Sequence, residues 1–369
     1  MPFSRILRNM DYVLLFAVLA LIGIGIVLIG SATHINHQSD DRYYFVYRQG
    51  IFALINLVLL FVSLRFDYRF LSGSAKSLYI FNLCMLLAVM FVGHSALGAQ
   101  RWIQLGPISL QPSEFSKVIM IIALAEFLNQ RLDHLDYFVD WLPAFAYLFL
   151  PFILVMKQPD LGTSLVFVAI MVGMMVLCGF RRKYFLSLFG LGIAAAPLLW
   201  YVLKDYQKMR IRVFLDPGLE PHGAGYHVIQ SMIAIGSGML AGKGLFEGTQ
   251  SQLNFLPENH TDFIFAVAGE EFGFIGTTVI LLLYLVIIYR GLNIASKAPD
   301  DFGTLLAVGI VSMFAFHVLV NVGMTAGIMP VTGVPLPFMS YGVSSLSTNM
   351  LLVALLLNIN MRQQKLNFK

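Results

Sequence analysis

Residues 254–273 read Asn-Phe-Leu-Pro-Glu-Asn-His-Thr-Asp-Phe-Ile-Phe-Ala-Val-Ala-Gly-Glu-Glu-Phe-Gly, four carboxylates and a histidine set against the start of a long apolar run. Asp262 stands where polar sequence turns hydrophobic. An ionisable group at such a boundary is costly to keep unless it binds or reacts with something, so function is expected here. The competing reading is structural: a carboxylate at the start of a helix caps it or complements its dipole. Glu270 and Glu271 follow eight and nine positions later, roughly 12 to 13 Å deeper along a helix.

Other polar clusters open other apolar runs. Gln111-Pro-Ser-Glu-Phe-Ser-Lys117 puts Pro112 at a first helical position, with Glu114 and Lys117 three apart on one face. Either the two neutralise each other beside the helix dipole, or they line a cavity facing an anionic ligand. Arg101 and Trp102 add a cation and an interfacial aromatic just upstream. Asp160, in Lys157-Gln-Pro-Asp160-Leu-Gly-Thr163-Ser164, reads as a cap or a ligand. Arg210 and Arg212 suit a phosphate or a solvated loop face equally. Pro330, Pro335 and Pro337, then Ser340-Tyr-Gly342, interrupt the chain before its last apolar run; broken backbone at membrane depth lines a cavity. Cys84 and Cys178 lie in apolar stretches without metal-type spacing and read as core. No P-loop, GxSxG, HExxH or dinucleotide fingerprint is present, which leaves nucleotide-driven pumping and familiar hydrolase chemistry unsupported.

The elements that must position these groups are membrane helices. Of the 369 residues 58% are hydrophobic and 12% charged, and the mean hydropathy is +0.77. Ten apolar runs approach the length that crosses a bilayer: 11–31, 49–64, 77–95, 113–129, 141–156, 161–180, 185–203, 263–289, 303–327 and 341–361. The first is too long for a signal-peptide core and is expected to be retained. An inside N-terminus gives the cytoplasmic side fourteen of the twenty-four Lys and Arg residues, among them Arg5, Arg8, Arg69, Arg290, Arg362, Lys365 and Lys369, and leaves Arg42, Arg48, Arg101 and Lys157 in short outer loops. The expected fold is therefore an all-α polytopic membrane protein, residues 1–369 forming one integral-membrane domain with both termini cytoplasmic. A large extracytoplasmic loop, about residues 204–262, precedes the eighth helix. Within it Val228, Ile229, Met232 and Ile233 share a helical face, predicting a short interfacial or re-entrant helix between Gly-rich turns. The scattered basic residues mark topology and exclude a nucleic-acid partner.

All the polar clusters fall on the outer side of this topology. Phe255-Leu-Pro-Glu-Asn-His-Thr-Asp-Phe-Ile-Phe265, with Gly98-Ala-Gln-Arg-Trp102, Gln111-Pro-Ser-Glu114 and Lys117, Gln158-Pro-Asp-Leu-Gly-Thr163, Gly223-Ala-Gly-Tyr-His227 and Gly333-Val-Pro-Leu-Pro337, resembles the SEDS family of shape, elongation, division and sporulation proteins nearly end to end. The short N-terminal tail and Gly248-Thr-Gln-Ser-Gln252 look most like its elongation-type members. Val343 departs from the second glycine usual after Ser-Tyr-Gly.

The resemblance implies a peptidoglycan glycosyltransferase that polymerises lipid II on the outer face of the bacterial cytoplasmic membrane beside a class B penicillin-binding protein. It implies Asp262 as the catalytic residue: a general base for the acceptor sugar's 4-hydroxyl while undecaprenyl pyrophosphate leaves with inversion. Pyrophosphate leaves readily, so the protonated carboxylic acid of inverting glycosidases is dispensable, and cations must offset the departing charge. Lys117 positioned by Glu114, Arg101, Arg210 and Arg212 are the candidates, with Asp160 beside them; a divalent cation, Mg2+ or Mn2+, would supply the same charge. Membrane lipids and two polyprenyl tails complete the expected partners. The rival readings are a flippase for the lipid-linked precursor, a division-type paralogue with the same chemistry, and an inactive scaffold.

Overall fold

The computed structural model describes residues 9–34, 43–96, 99–105, 108–203, 205–220, 223–253 and 255–363. Among the expectations above, Arg5, Arg8, Arg42, Gly98, Lys204, Asn254, Lys365 and Lys369 lie outside the described residues.

Each of the ten predicted spans holds a helix: α1 (Tyr12–Thr33), α2 (Tyr44–Ser63), α3 (Phe70–Val92), α4 (Pro112–Asn129), α5 (Leu142–Lys157), α6 (Leu161–Leu177), α7 (Arg182–Val202), α11 (Ile264–Ser296), α12 (Asp301–Thr325) and α13 (Val343–Met361). Seven helices among the described residues are long and apolar enough to cross a membrane. α6 is apolar but shorter, and α4 carries Glu114, Lys117 and Glu126. α11 packs along both α12 and α1, α12 also contacts α6, and α2 pairs with α13. One buried core joins these helices, from Leu14 and Leu21 on α1 through Phe167 to Phe314 and Leu356.

The helix ends explain the packing order. Asp11 accepts from the Leu14 amide at 3.1 Å to cap α1 and pairs with Arg290 at 2.5 Å, tying the start of α1 to the far end of α11. Asp300 accepts from the Gly303 amide at 2.7 Å to cap α12 and takes Tyr68 Oη at 2.7 Å and Arg69 at 2.8 Å. Arg362 pairs with Asp67 at 2.9 Å. The acids fix helix ends that the sequence alone left free, and all three arginines belong to the side assigned to the cytoplasm.

Two features depart from the sequence expectation. Between α3 and α4 runs a three-stranded antiparallel sheet, β1 (His94–Ala96), β2 (Ala99–Leu105) and β3 (Ile108–Leu110), in the order β1-β2-β3. The alternation Arg-Trp-Ile-Gln-Leu in β2 has the period of a strand. The long loop is also more ordered than a tether: it holds α8 (Asp205–Leu215), α9 (Ala224–Ser237) and the single turn α10 (Thr249–Gln252). α9 is the predicted helix, but its buried stripe is Gly225, Val228, Ser231 and Ala234, with Met232 and Ile233 exposed. Small residues win because they let α9 approach α11, where a Cβ on Gly238 would overlap the Gly269 carbonyl.

α11 is broken at Gly273, whose φ of 64° and ψ of −161° leave the helical region. Residues 238–244 fill the break: Lys243 N donates to Glu270 O at 3.0 Å, Gly244 N to Glu271 O at 3.1 Å, and Phe274 N to Met239 O at 2.9 Å. Freed backbone groups inside a membrane protein need such partners. Glu270 joins in by accepting from Gln250 N at 2.9 Å, Ser251 N at 3.1 Å and Lys243 Nζ at 2.8 Å, so it holds α10 against α11. Glu271 accepts from Ser31 Oγ at the last turn of α1. Both acids are structural, and neither lines the cavity described next.

Candidate active site

A cavity of about 530 Å³ opens between the starts of α4, α6, α11 and α13. Asp262, Glu114, Lys117, Arg101, Asp160 and Arg210 all line it. Arg212 does not; its guanidinium lies 5.7 Å from the centre of the Trp200 ring instead.

Asp262 lies two residues before α11 begins, and the N-cap position belongs to Phe263, which makes no side-chain cap bond. The capping explanation therefore finds no support. Three successive carbonyls hold the segment: His260 O accepts from Tyr341 N at 2.9 Å, Thr261 O from Ser340 Oγ at 2.6 Å, and Asp262 O from Asn321 Nδ2 at 2.9 Å. Asn321 donates also to Val334 O at 2.8 Å and so ties Asp262 to the irregular stretch before α13. The carboxylate itself makes no hydrogen bond among the described residues, and Gly333 leaves room for it: a Cβ there would sit 3.4 Å from Oδ2. Burial pushes the Asp262 carboxyl up to about 6, and the nearby Glu258 adds to this; Arg210 and Arg101 pull the other way. A carboxylate left without donors among the described residues and titrating near neutrality has the properties that a general base needs.

The cations arrive on different elements. Lys117 Nζ donates to Glu114 Oε1 at 2.8 Å on the first turns of α4, both side chains nearly inaccessible at 1% and 4%. Glu114 Oε2 has no hydrogen-bond partner among the described residues. Lys117 Nζ also lies 3.5 Å from His317 Nε2 on α12, whose Nδ1 lies 2.9 Å from Pro335 O. Arg101 on β2 donates through Nε to Gln158 O at 3.0 Å and through its terminal nitrogen to Pro159 O, which docks the sheet on the end of α5. It lies 3.9 Å from Asp160. Asp160 caps α6, accepting from Thr163 N at 3.2 Å, and also takes Thr163 Oγ1 at 2.9 Å and Ser113 Oγ at 3.0 Å. It is both a cap and a cavity wall.

Sequence reasoning had not named Arg48, Glu258, His317 or Ser344 as site residues, yet they also line the wall. His317 did leave a signal, since an ionisable residue in the middle of the run 303–327 is itself a functional pointer. Tyr341 belongs to the Ser340-Tyr-Gly342 interruption expected to line a cavity, whereas Arg48 left no signal, because its role depends on how α2 packs beside the stretch before α13. Val343 begins α13, so the turn before it is made at Gly342 and needs no second glycine. Glu258 and Phe338 hold φ of 51° and 68° close to Asp262 in sequence or space; left-handed backbone at non-glycine residues costs about 1 kcal/mol or more and gathers at functional sites. Among the described residues no three His, Cys, Asp or Glu side chains converge as metal ligands.

Comparison with known proteins covers nearly the whole chain. The family model of the cell cycle proteins FtsW, RodA and SpoVE matches residues 12–365. Stage V sporulation protein E of Bacillus subtilis is 40% identical over 355 residues, which is 95% of this chain and 96% of the relative. Peptidoglycan glycosyltransferase MrdB of Escherichia coli is 40% identical over 360 residues, 97% of this chain and 95% of the relative. A chain in a solved peptidoglycan synthase complex that coordinates polymerization and crosslinking superposes with a TM-score of 0.82 at 34% identity, covering 96% of this chain and 99% of that one.

Proposed function

The chain belongs to the FtsW/RodA/SpoVE family of cell cycle proteins, and from that premise we propose that it polymerises lipid II into glycan strands at the outer face of the cytoplasmic membrane, with Asp262 as general base. The observation that carries the reading is the Asp262 carboxylate: unbonded, raised to about 6 and open to a cavity walled by Lys117, Arg101, Arg210 and Arg48.

The acceptor's 4-hydroxyl gives its proton to Asp262 as its oxygen attacks the anomeric carbon of the donor. The bond from that carbon to the diphosphate oxygen breaks, and undecaprenyl diphosphate leaves from the opposite face with inversion. No acid is needed for so good a leaving group. Lys117 and Arg210 face the charge that builds on it, while Arg101 is held mainly by the α5 carbonyls and shapes the wall. The transpeptidase partner is a class B penicillin-binding protein, in keeping with the synthase complex that the fold matches. A role in cell elongation rests on the sequence motifs, since the sporulation relative and MrdB are equally similar to this chain.

The test supplies the purified protein and its transpeptidase partner with labelled lipid II and compares chain formation by wild type and Asp262→Ala. Normal polymerisation by the variant removes Asp262 as base. Lipid flipping without polymerisation by either protein turns the reading to transport.

A further inference from the structure

We infer that His317 is a positioning residue for Lys117: it acts as a neutral acceptor that, with Glu114, fixes the ammonium so that one N–H faces the diphosphate of the lipid-linked donor. This deepens the glycosyl-transfer reading and rests on it.

The argument starts from donors and acceptors. Pro335 O can only accept, so His317 Nδ1, 2.9 Å away, carries the ring proton and donates it. Nε2 is then the lone-pair nitrogen, and it faces Lys117 Nζ at 3.5 Å, the outer reach of a hydrogen bond. Protonating Nε2 would set a second cation against the ammonium, so the contact holds only for the neutral ring. A lysine ammonium is a compact point charge with three rotatable N–H donors on a flexible stem. Glu114 Oε1 takes the first at 2.8 Å and His317 Nε2 the second. With two directions fixed, tetrahedral geometry fixes the third, and no group among the described residues takes it. Lys117 and His317 both line the cavity, so the remaining N–H is turned to its contents. Glu114 alone would leave the ammonium free to rotate about one contact.

Pro335 belongs to the stretch that Asn321 ties to Asp262 through Val334. α12 thus sets the cation through His317 and the base through Asn321, one helical turn apart on the same face. A helix that presents both groups keeps the distance between base and leaving-group cation constant.

Two substitutions separate the nitrogens. In His317→Gln the amide oxygen reaches the place of Nε2 and accepts from Lys117, at the expense of the bond to Pro335. In His317→Asn the amide nitrogen stands in for Nδ1 and keeps Pro335, but nothing reaches Lys117. Both are purified with the transpeptidase partner and assayed on labelled lipid II for kcat and KM, with thermal midpoints and with inorganic pyrophosphate as competing probe. The expected result is a fall in kcat of about tenfold or more for Asn with KM within about twofold, and a loss of no more than about threefold for Gln, because the lost interaction is made to the departing charge. Pyrophosphate inhibition should weaken in Asn and persist in Gln. Should the Asn protein fail to fold, His317→Met, which keeps bulk and lacks both nitrogens, replaces it with the same expectation. A wild-type rate in Asn, or a loss in Gln as large as in Asn, overturns the inference. Wild type and Asp262→Asn run alongside keep the two levels apart: if neither polymerises, the transfer reading fails, whereas normal polymerisation by Asp262→Asn removes only the base, and its inactivity beside an unimpaired His317→Asn removes only the role of His317.

Discussion

Replacing Asp262 by asparagine keeps the side chain's size and removes its charge, and the structure predicts opposite effects on stability and activity. Burial and Glu258 raise the carboxyl from 3.8 to about 6. A shift of two pH units corresponds to about 3 kcal/mol of preference for the protonated form. The sign follows from linkage: the folded protein holds this proton more tightly than the unfolded chain, so the stability it contributes is fully present below about 3.8 and is lost as pH rises through about 6. The asparagine amide has no ionised form and escapes the loss. Asp262→Asn should therefore be more stable than wild type by up to about 3 kcal/mol above pH 6, with the gap closing between pH 6 and 4. Its polymerisation rate should fall by about 10² to 10⁴, the range for a lost general base. Thermal or denaturant unfolding across pH and gel-resolved polymerisation of labelled lipid II measure the two. A variant less stable than wild type at pH 7.5 would refute the idea that the ionised carboxylate is held at a cost, and an undiminished rate would refute its use as a base.

The rate itself carries the same titration: kcat/KM should rise with pH through about 6, and Glu258→Gln, which removes the neighbouring charge while keeping an oxygen for Thr261, should move the rising limb toward acid by a fraction of a unit. Gly242→Ala should cost about 2 kcal/mol or more of stability, read as a lower thermal midpoint, because φ is +82° and the new Cβ would overlap the Glu271 carbonyl; Gly73→Ala, with nothing within 4 Å, should instead be neutral or stabilise α3 by up to about 1 kcal/mol. Arg212→Gln should polymerise within about twofold of wild type, since it lies against Trp200, whereas Arg210→Gln, on the cavity wall, should lose rate.

The ten helices were legible because the bilayer demands long apolar runs, and that demand is written locally. The cavity was legible only in part. Asp262, Glu114 and Lys117 announce themselves as charges where hydrophobic sequence begins. Asp160 announced itself as either cap or ligand, and only the fold showed that one side chain does both. The strand β2 was hidden by its neighbours, although its alternating residues carry the period; in a chain so apolar, helices are the stronger expectation. The stripe of α9 misled in part, and for a physical reason: of the large apolar residues counted, Val228 is buried while Met232 and Ile233 are exposed, and the rest of the buried stripe is Gly225, Ser231 and Ala234, small residues that allow close approach rather than adding hydrophobic area. Arg48 and Tyr341 are separated by nearly three hundred positions and meet only because α2 pairs with α13.

The break at Gly273 also settles an elevation. Arg290 is level with Asp11 and Glu271 with Ser31; the nineteen or twenty residues between these rungs rise about 30 Å, the thickness of a hydrocarbon core. The helix beyond Gly273 therefore spans that thickness by itself, and the short helical piece from Ile264 to Phe272, on the other side of the break, is spared the task and leads from Asp262 at the cavity wall.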